Sequence, residues 1–416
     1  MTGQEFATRT TEDDMFGDEM LMIPATILRG GTSKGVYLLE DDLPDDRSLW
    51  GPYLLELFGS QSVRQIGGLG GGDSTTSKCC IIGRSSDPEV DVNYTFAQVG
   101  IGEERVYWDM NCGNLSSSVG TFAVMAGLVP AEAPVTTVRA YQTNTRRMLR
   151  IEVPVGDRGL LVDGPLAIGG VPGTGAPVQV DFSGTVGASL DRGLFPTGHR
   201  VDTLHVDGVG ELECSIVDLA NMCIFFRAED VGATGYEGVV DGPRLHPTYE
   251  AIRIAAQRAL GLPIDSSTPW PVSVAAPRDY QATKGDIISV DDYDVAVRFI
   301  AIPSMLDTMH QAFPGTAASC VSVAASASGT VVNAVYEKSG RDRDGEVAIG
   351  HPSGVMRIGT QISEQDGMLS VERVTTARTV RPIMRGEAYL RASEVLRLTA
   401  ALPADSPTRS GVPEPH

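Results

Sequence analysis

Between Asp109 and Glu132 the chain carries no Lys, Arg, Asp or Glu; the run MNCGNLSSSVGTFAVMAGLVP is Ser, Gly, Ala and Val for most of its length. A helix without a polar face broad enough to meet water has to be buried, so this stretch predicts a helix enclosed by other elements. At its head stand Asn111, Cys112, Gly113 and Asn114. The first N–H groups of a helix have no partner within it, and the helix dipole is positive there. That end favours a thiolate or a bound anion.

A second uncharged segment runs from Gln311 to Tyr336, through Phe313-Pro314-Gly315-Thr316 into AASCVSVAASASGTVVNAVY, with a similar small-residue start. Short Val/Ile/Thr runs cut by Gly, Pro and Asp surround both segments, the pattern of strands and tight turns. With 47 Gly, 25 Pro and 6% aromatics, helices are expected to be the minority. A chain of 416 residues exceeds one ordinary core, so two domains are expected, of roughly 150 to 200 residues each. Two uncharged helices, each inside a set of strands, suggest an internal duplication.

Asp plus Glu outnumber Lys plus Arg by 53 to 33, a formal charge of −20. Such a surface repels phosphate backbones and anionic membranes, which leaves a small anionic substrate held in a local basic pocket. The six cysteines include no CxxC pair and are too few for a disulfide framework. The opening MTGQEFATRTTEDDMFGDEM is acidic and polar rather than a secretory signal, and no run of about 18 apolar residues suggests a membrane span. A reducing cytoplasm is the expected location.

Taken in order, LMIPATIL and VYLL read as strands flanking Arg29-Gly30-Gly31-Thr32-Ser33-Lys34-Gly35. This turn reads either as a cradle of backbone and side-chain donors for a carboxylate or as a hairpin with exposed cations. It lacks the P-loop pattern. SLWGPYLLELF predicts a helix ending at Gly59. The loop Gly67-Gly68-Leu69-Gly70-Gly71-Gly72-Asp73-Ser74-Thr75-Thr76-Ser77-Lys78 then enters the apolar run CCIIG. Lys78 sits where loop meets strand, either held rigidly and partly desolvated as a lysine base requires or solvated on a flexible loop. PVTTVRAY and MLRIEVPV predict a hairpin, and residues 162–180 a packed loop near a domain junction. HPTYEAIRIAAQRALG predicts an amphipathic helix with Pro247 near its first turn. AVRFIAI leads through Ser304 to His310. His351-Pro352-Ser353-Gly354 is a fixed turn that either aims His351 and Ser353 at one ligand or simply hydrogen-bonds its histidine. VMRIG, LSVERVTT and EAYLR read as separate strands.

The segments ATILRGGTSKGVYL, GGGDSTTSK, NCGNLSSSVGTFAV, NTRRMLRIEVPV, VPGTGAPV, FPTGHRVDTL, MHQAFPGTAAS and GHPSGVMRIG together resemble the PrpF family, the 2-methylaconitate isomerases and their relatives. They come in family order and span residues 24–390. The resemblance implies an α+β, diaminopimelate epimerase-like fold: two pseudo-symmetric domains, each a mixed β-barrel around a central buried helix, with the active site in the cleft between them. On that basis residues 21–188 form an N-terminal barrel to which 386–402 returns and 189–385 a C-terminal barrel, while composition alone predicts a disordered head over 1–20 and a disordered tail over 403–416. The resemblance also implies a cofactor-independent isomerase with no metal, acting on an unsaturated di- or tricarboxylic acid by a cis–trans or double-bond shift. Lys78 and Cys112 become the catalytic residues. Arg29, Thr32, Ser33, Lys34, Gly71, Gly72, Asp73, Ser74, Asn111, Gly113, Asn114, His310, Thr316 and Ser353 become substrate-binding, the backbone donors at Gly71, Gly72, Gly113 and Asn114 holding developing negative charge.

Epimerase relatives use a cysteine at the start of each buried helix, whereas here the second begins Gly315-Thr316-Ala317-Ala318 with Cys320 one turn further in. A two-thiol racemase is therefore not expected. Gly67-Gly68 stands where the family often has Asp-Gly, and Asn221-Met222 where it has Asn-Pro. 2-Methylaconitate is the first expected substrate and 4-oxalomesaconate the second, with a possible homo-oligomer as the assembly. Rivals of other classes are an accessory protein for an aconitase-like iron–sulfur enzyme, against which the cysteine spacing speaks, and an amino-acid binding module.

Overall fold

The computed structural model describes residues 17–108, 111–264, 266, 268–300, 309–311, 313–341, 345–365 and 367–402. Ser304, the expected tail and all of the expected head up to residue 16 lie outside them. Gly17–Glu19 form a short 3₁₀ turn and Met20 opens the first strand. The chain divides into two compact units, Met1–Gln179 with Arg378–His416, and Val180–Ala377. The expected divisions stood nine residues later on the way out (188 against 179) and eight later on the way back (386 against 378).

The first unit contains β1 (Met20–Gly30), β2 (Ser33–Leu39), α1 (Trp50–Phe58), β3 (Lys78–Arg84), β4 (Val92–Val99), β5 (Val106–Tyr107), α2 (Gly113–Met125), β6 (Val135–Gln142), β7 (Arg147–Gly156) and β8 (Gly159–Leu160). β9 (Pro177–Asp181) crosses to the second unit. There follow β10 (Asp202–Val206), β11 (Gly210–Val217), β12 (Cys223–Arg227), α3 (Gly242–Leu260), β13 (Trp270–Ala275), β14 (Tyr280–Gln281), β15 (Ile287–Ile288), β16 (Val295–Phe299), α4 (Gly315–Ser326), α5 (Val331–Tyr336), β17 (Glu346–His351) and β18 (Gly354–Gln365). β19 (Met368–Arg391) carries the chain back, and α6 (Ala392–Ala400) ends the described part.

The expected duplication is written in the pairing. In the first unit β1–β2 is antiparallel, β2–β3 parallel, β3–β4 antiparallel, β4–β6 parallel and β6–β7 antiparallel. In the second, β11–β12, β12–β13, β13–β16, β16–β17 and β17–β18 repeat that alternation. A parallel pair needs a crossover, and the helices fill those crossovers: α1 and α2 in one unit, α3 and α4 with α5 in the other. The first unit closes into a ring through β7–β9, β9–β19 and β19–β1. In the second the order runs from β10 to β19, with no closing pair among the described residues.

Both uncharged segments become buried helices. α2 packs on β1, β2, β3, β6 and β7, and α4 on β11, β17, β18 and α5. Most of their serines are tolerated inside because the hydroxyl bonds back to its own helix: Ser117 Oγ to the Asn114 carbonyl (2.6 Å) and Ser116 Oγ to that of Cys112 (3.1 Å) in α2, Ser319 to Gly315 (3.0 Å) and Ser322 to Ser319 (2.8 Å) in α4.

Three elements differ from expectation. α3 starts at Gly242, with Pro243 in its first turn and Pro247 inside the helix rather than at its start, because Pro243 already supplies the preset φ and Pro247 removes only one intrahelical bond. The second uncharged segment breaks into α4 and α5, bent by 75°, where Gly329 takes φ +79° and Thr330 caps the new helix through Asn333 N–H. LSVERVTT and EAYLR are parts of one strand, β19. Pro382, which lacks an N–H, is accommodated at a bulge: Ile27 pairs with Met384 and Leu28 with Pro382, so Ile383 is the extra residue.

Candidate active site

The chemistry-bearing residues of the first unit converge on the start of α2 and the loop before β3. Of the six cysteines, all free, five are buried and only Cys112 is partly exposed. Burial pushes the Cys79, Cys80 and Cys223 thiols up, and Cys214 to about 12. Cys112 is the N-cap of α2, in extended conformation, with no side-chain cap among the described residues. Its own N–H goes to Asn111 Oδ1 (2.7 Å), which also accepts from Ser116 Oγ (3.1 Å). The N–H groups of Gly113 and Asn114 thus open the helix, the position at which no intrahelical acceptor exists.

The turn between β1 and β2 lies against this helix end. Asn114 Nδ2 donates to Thr32 Oγ1 at 3.0 Å, and Asn114 Oδ1 accepts from Arg378 Nε at 3.3 Å. The approach requires glycine. A Cβ on Gly30 would stand 2.1 Å from Ser118 Oγ and 2.4 Å from the Asn114 carbonyl oxygen, and one on Gly31, which has φ +52°, 2.2 Å from Asn114 Oδ1. Ser33 is buried, and Lys34 is half-buried with its N–H on the Thr75 carbonyl (2.9 Å). Arg29 Nη1 is held by the Gly31 carbonyl (2.9 Å), the Thr379 carbonyl (2.8 Å) and Thr379 Oγ1 (3.0 Å). It therefore braces the turn with one nitrogen.

The glycine-rich loop is no loose spacer. Leu69 N–H and Gly70 N–H bond the Leu57 and Phe58 carbonyls (2.8 and 3.3 Å), and a Cβ on Gly68 would stand 2.4 Å from Gly59 N. Its organiser is the buried Gln65, at φ +49°. Gln65 Nε2 donates to the Gly100 carbonyl (3.1 Å), and Oε1 accepts from Ser77 Oγ and from Gly72 N–H (2.9 Å). The Gly72 donor assigned to substrate is therefore spent inside the loop. Asp73 accepts from Thr75 N–H (2.7 Å) and Oγ1 (2.6 Å), bonds that hold its carboxyl below the usual range. Gly71, Asp73 and Ser74 are exposed.

Lys78 is the first residue of β3 and half-buried. Its Nζ donates to Gln98 Oε1 at 2.6 Å and lies 5.2 Å from the centre of the Phe96 ring. Arg378 is the cation that sequence reasoning missed. It is buried, and burial brings its guanidinium down to about 10, opposed by the charge of Cys112. It lies 264 residues from Asn114 in the chain, and only the buried environment distinguishes it from the other arginines of β19.

The second unit holds the remaining three residues. Thr316 is buried at the second position of α4, and its Oγ1 accepts from Asn221 Nδ2 at 2.6 Å. His310 N–H bonds the Phe299 carbonyl (2.9 Å), and its ring lies 6.2 Å from that of Phe299. Ser353 Oγ donates to the Gln311 carbonyl, and its N–H to His351 Nδ1 (3.2 Å), so the His-Pro-Ser turn is internally bonded. Cys320 is buried in the core, its thiol on the Val217 carbonyl at 3.3 Å.

Comparison with known proteins gives the geometry its relatives. The chain is 41% identical over 390 residues to the 3-methylitaconate isomerase of Eubacterium barkeri, covering 91% of this chain and all of that one. It is 34% identical over 388 residues to the 2-methyl-aconitate isomerase of Shewanella oneidensis, covering 88% and 96%. A crystal structure of methylitaconate-delta-isomerase superposes with a TM-score of 0.80 at 40% identity, over 91% of this chain and 97% of that chain. A hydroxyproline epimerase from Agrobacterium vitis, at 10% identity, TM-score 0.50 and coverage of 89% and 93%, shares the fold alone, which is the epimerase-like α+β fold. A family model described as PrpF protein matches residues 20–391. From Met20 to Arg391, then, the chain belongs to the PrpF family, and it is an isomerase.

Proposed function

We propose that this isomerase shifts a carbon–carbon double bond in an unsaturated dicarboxylic acid, moving one proton along an allylic system with Lys78 as the only base and without a cofactor. The observation that carries the reading is the Lys78 amine, half-buried at the first residue of β3 and held from one side at 2.6 Å. The neutral amine takes a proton from the carbon that is both next to a carboxylate and allylic. The C–H electron pair spreads into a dienolate, and the ammonium returns the proton to the far carbon, leaving the amine as it began. One base on one face suffices.

Arg378 and the N–H groups of Gly113 and Asn114 bind the carboxylate on which charge builds, with Thr32, Ser33 and Lys34 from the neighbouring turn. Preorganised donors of this kind are worth about 3 to 4 kcal/mol each in acyl-transfer sites. Cys112 faces the same region as a positioning thiol. The greater identity to the 3-methylitaconate isomerase, 41% against 34%, favours a methyl-substituted itaconate over 2-methylaconitate as first substrate.

Incubation with 3-methylitaconate, 2-methylaconitate and 4-oxalomesaconate in deuterated water, followed by NMR, tests this. The expected result is fastest turnover of 3-methylitaconate, with label at the new carbon only to the extent that the lysine exchanges its proton. Faster turnover of 2-methylaconitate or 4-oxalomesaconate would transfer the proposal to that acid. Turnover of none would overturn the substrate assignment and leave the isomerase with another unsaturated acid.

A further inference from the structure

We infer that Gln98 is a positioning residue for the proton transfer, an amide whose oxygen fixes the Lys78 amine while keeping its partner uncharged. The inference rests on the reading of Lys78 as the base.

β3 and β4 run antiparallel with Lys78 directly opposite Gln98, so the two side chains emerge from the same face of the sheet. The amide of Gln98 has no freedom to turn over. Its Nε2 donates to the Ser77 carbonyl at 2.9 Å and to the Ser74 carbonyl at 3.3 Å. Reversal would set Oε1 against two carbonyl oxygens and an NH2 against the lysine, three contacts mismatched at once. The loop therefore aims Oε1, and Oε1 meets Nζ at 2.6 Å. Phe96, two residues earlier on the same face of β4, presents its ring 5.2 Å from Nζ. A lysine stem has four rotatable bonds, and fixing its end in the folded state removes that freedom before substrate arrives.

The neutrality of the partner matters as much as its position. An amide oxygen accepts an N–H from either the ammonium or the amine, so it holds the nitrogen through both halves of the transfer. A carboxylate at the same distance would hold the ammonium form, which has no lone pair to take a proton. The other titratable groups that feel the Lys78 charge are Asp73, from the loop, and Cys80, two residues along β3; neither is the hydrogen-bond partner of Nζ.

The test compares Gln98→Glu, Gln98→Met and Lys78→Ala in the full-length protein, measuring melting temperature and the pH profiles of kcat and kcat/KM with the best acid of the three above. Gln98→Glu keeps size and shape. An opposite charge this close shifts an amine by about 1 to 3 pH units, so the limb at which activity rises with pH should move up by at least one unit, with turnover at neutral pH down tenfold or more and recovered in alkali. Gln98→Met keeps length without an acceptor and should lower kcat about tenfold with KM within twofold. An unmoved limb in Gln98→Glu, or a Gln98→Met protein that loses melting temperature while keeping kcat, would reduce Gln98 to a brace for the loop. Full turnover in Lys78→Ala would instead remove the base itself, and the inference with it.

Discussion

The starts of α2 and α4 occupy equivalent places in the two units and carry different residues. Each helix fills the second parallel crossover of its unit, and the two sequences align from Gly113 on Gly315, which sets Asn114 on Thr316, Ser118 on Cys320 and Val119 on Val321. Each second residue is tied to the turn between the first two strands of the repeat: Asn114 to Thr32, Thr316 to Asn221. The amide and the hydroxyl have traded sides, and the bond survives the trade. The N-cap has not been kept. It is Cys112 in α2 and Pro314 in α4, and a proline offers neither a thiol nor an N–H. The first residue of the strand after the first crossover differs in the same sense, Lys78 over the Phe96 ring in one unit and Trp270 stacked at 5.1 Å on Phe299 in the other. The framework of the duplication has been kept in both copies, and at these two positions a thiol and an amine stand in the first unit where a proline and a tryptophan stand in the second. That asymmetry suits a proton shift by a single base better than inversion of a stereocentre between two thiols.

The sharpest way to break this comparison is to remove the amine. Lys78→Ala should lower kcat by about a hundredfold or more, the usual contribution of a positioned acid–base group, with the melting temperature little changed. Near-normal turnover in steady-state kinetics would mean that the first unit's strand start is no more chemical than the second's. Next comes the close approach that only the first unit's turn shows. Gly30→Ala places a methyl against Ser118 and the Asn114 carbonyl and should cost about 1 to 3 kcal/mol in a urea titration, as overpacking does; a loss below a few tenths would mean that the turn does not seat the helix end. The thiols give a paired test. Cys112→Ser should cost about 1 kcal/mol of positioning, roughly fivefold in kcat, whereas Cys320→Ser should leave kcat alone and lower the melting temperature, since its sulfur is buried on the Val217 carbonyl. A loss for Cys112→Ser as large as that for Lys78→Ala would make the pair a two-residue relay.

The two buried helices were legible because charge is absent from them, a signal that needs no knowledge of the fold. The place of Lys78, where a glycine-rich loop enters an apolar strand, was legible; whether it is held or solvated was not, since its partner Gln98 lies on another strand. Gln98 was harder to see: in VNYTFAQV it reads as one polar residue near the end of a strand, and only the register with KCCIIGR sets it opposite Lys78. Gln65 lies outside the glycine run it organises. Arg378 stands in the middle of β19, between the stretches LSVERVTT and EAYLR that read as separate strands; the bulge opposite Leu28 that admits Pro382 and keeps the strand whole depends on β1, more than 350 residues away.

The smallest effect expected is the one that examines the duplication most directly. Asn221→Ala removes the donor from Thr316 Oγ1, a buried hydroxyl that can then act only through its own proton, and one such bond is worth about 1 kcal/mol. Asn114→Ala removes two bonds, to Thr32 and from Arg378, so it should cost more stability than its counterpart and should also raise KM, because Arg378 would lose one of the groups that aim it. If the two substitutions cost the same in urea and neither changes KM, the second residue of each helix is a structural tie in both units, and the functional asymmetry lies only in the N-cap and the strand start.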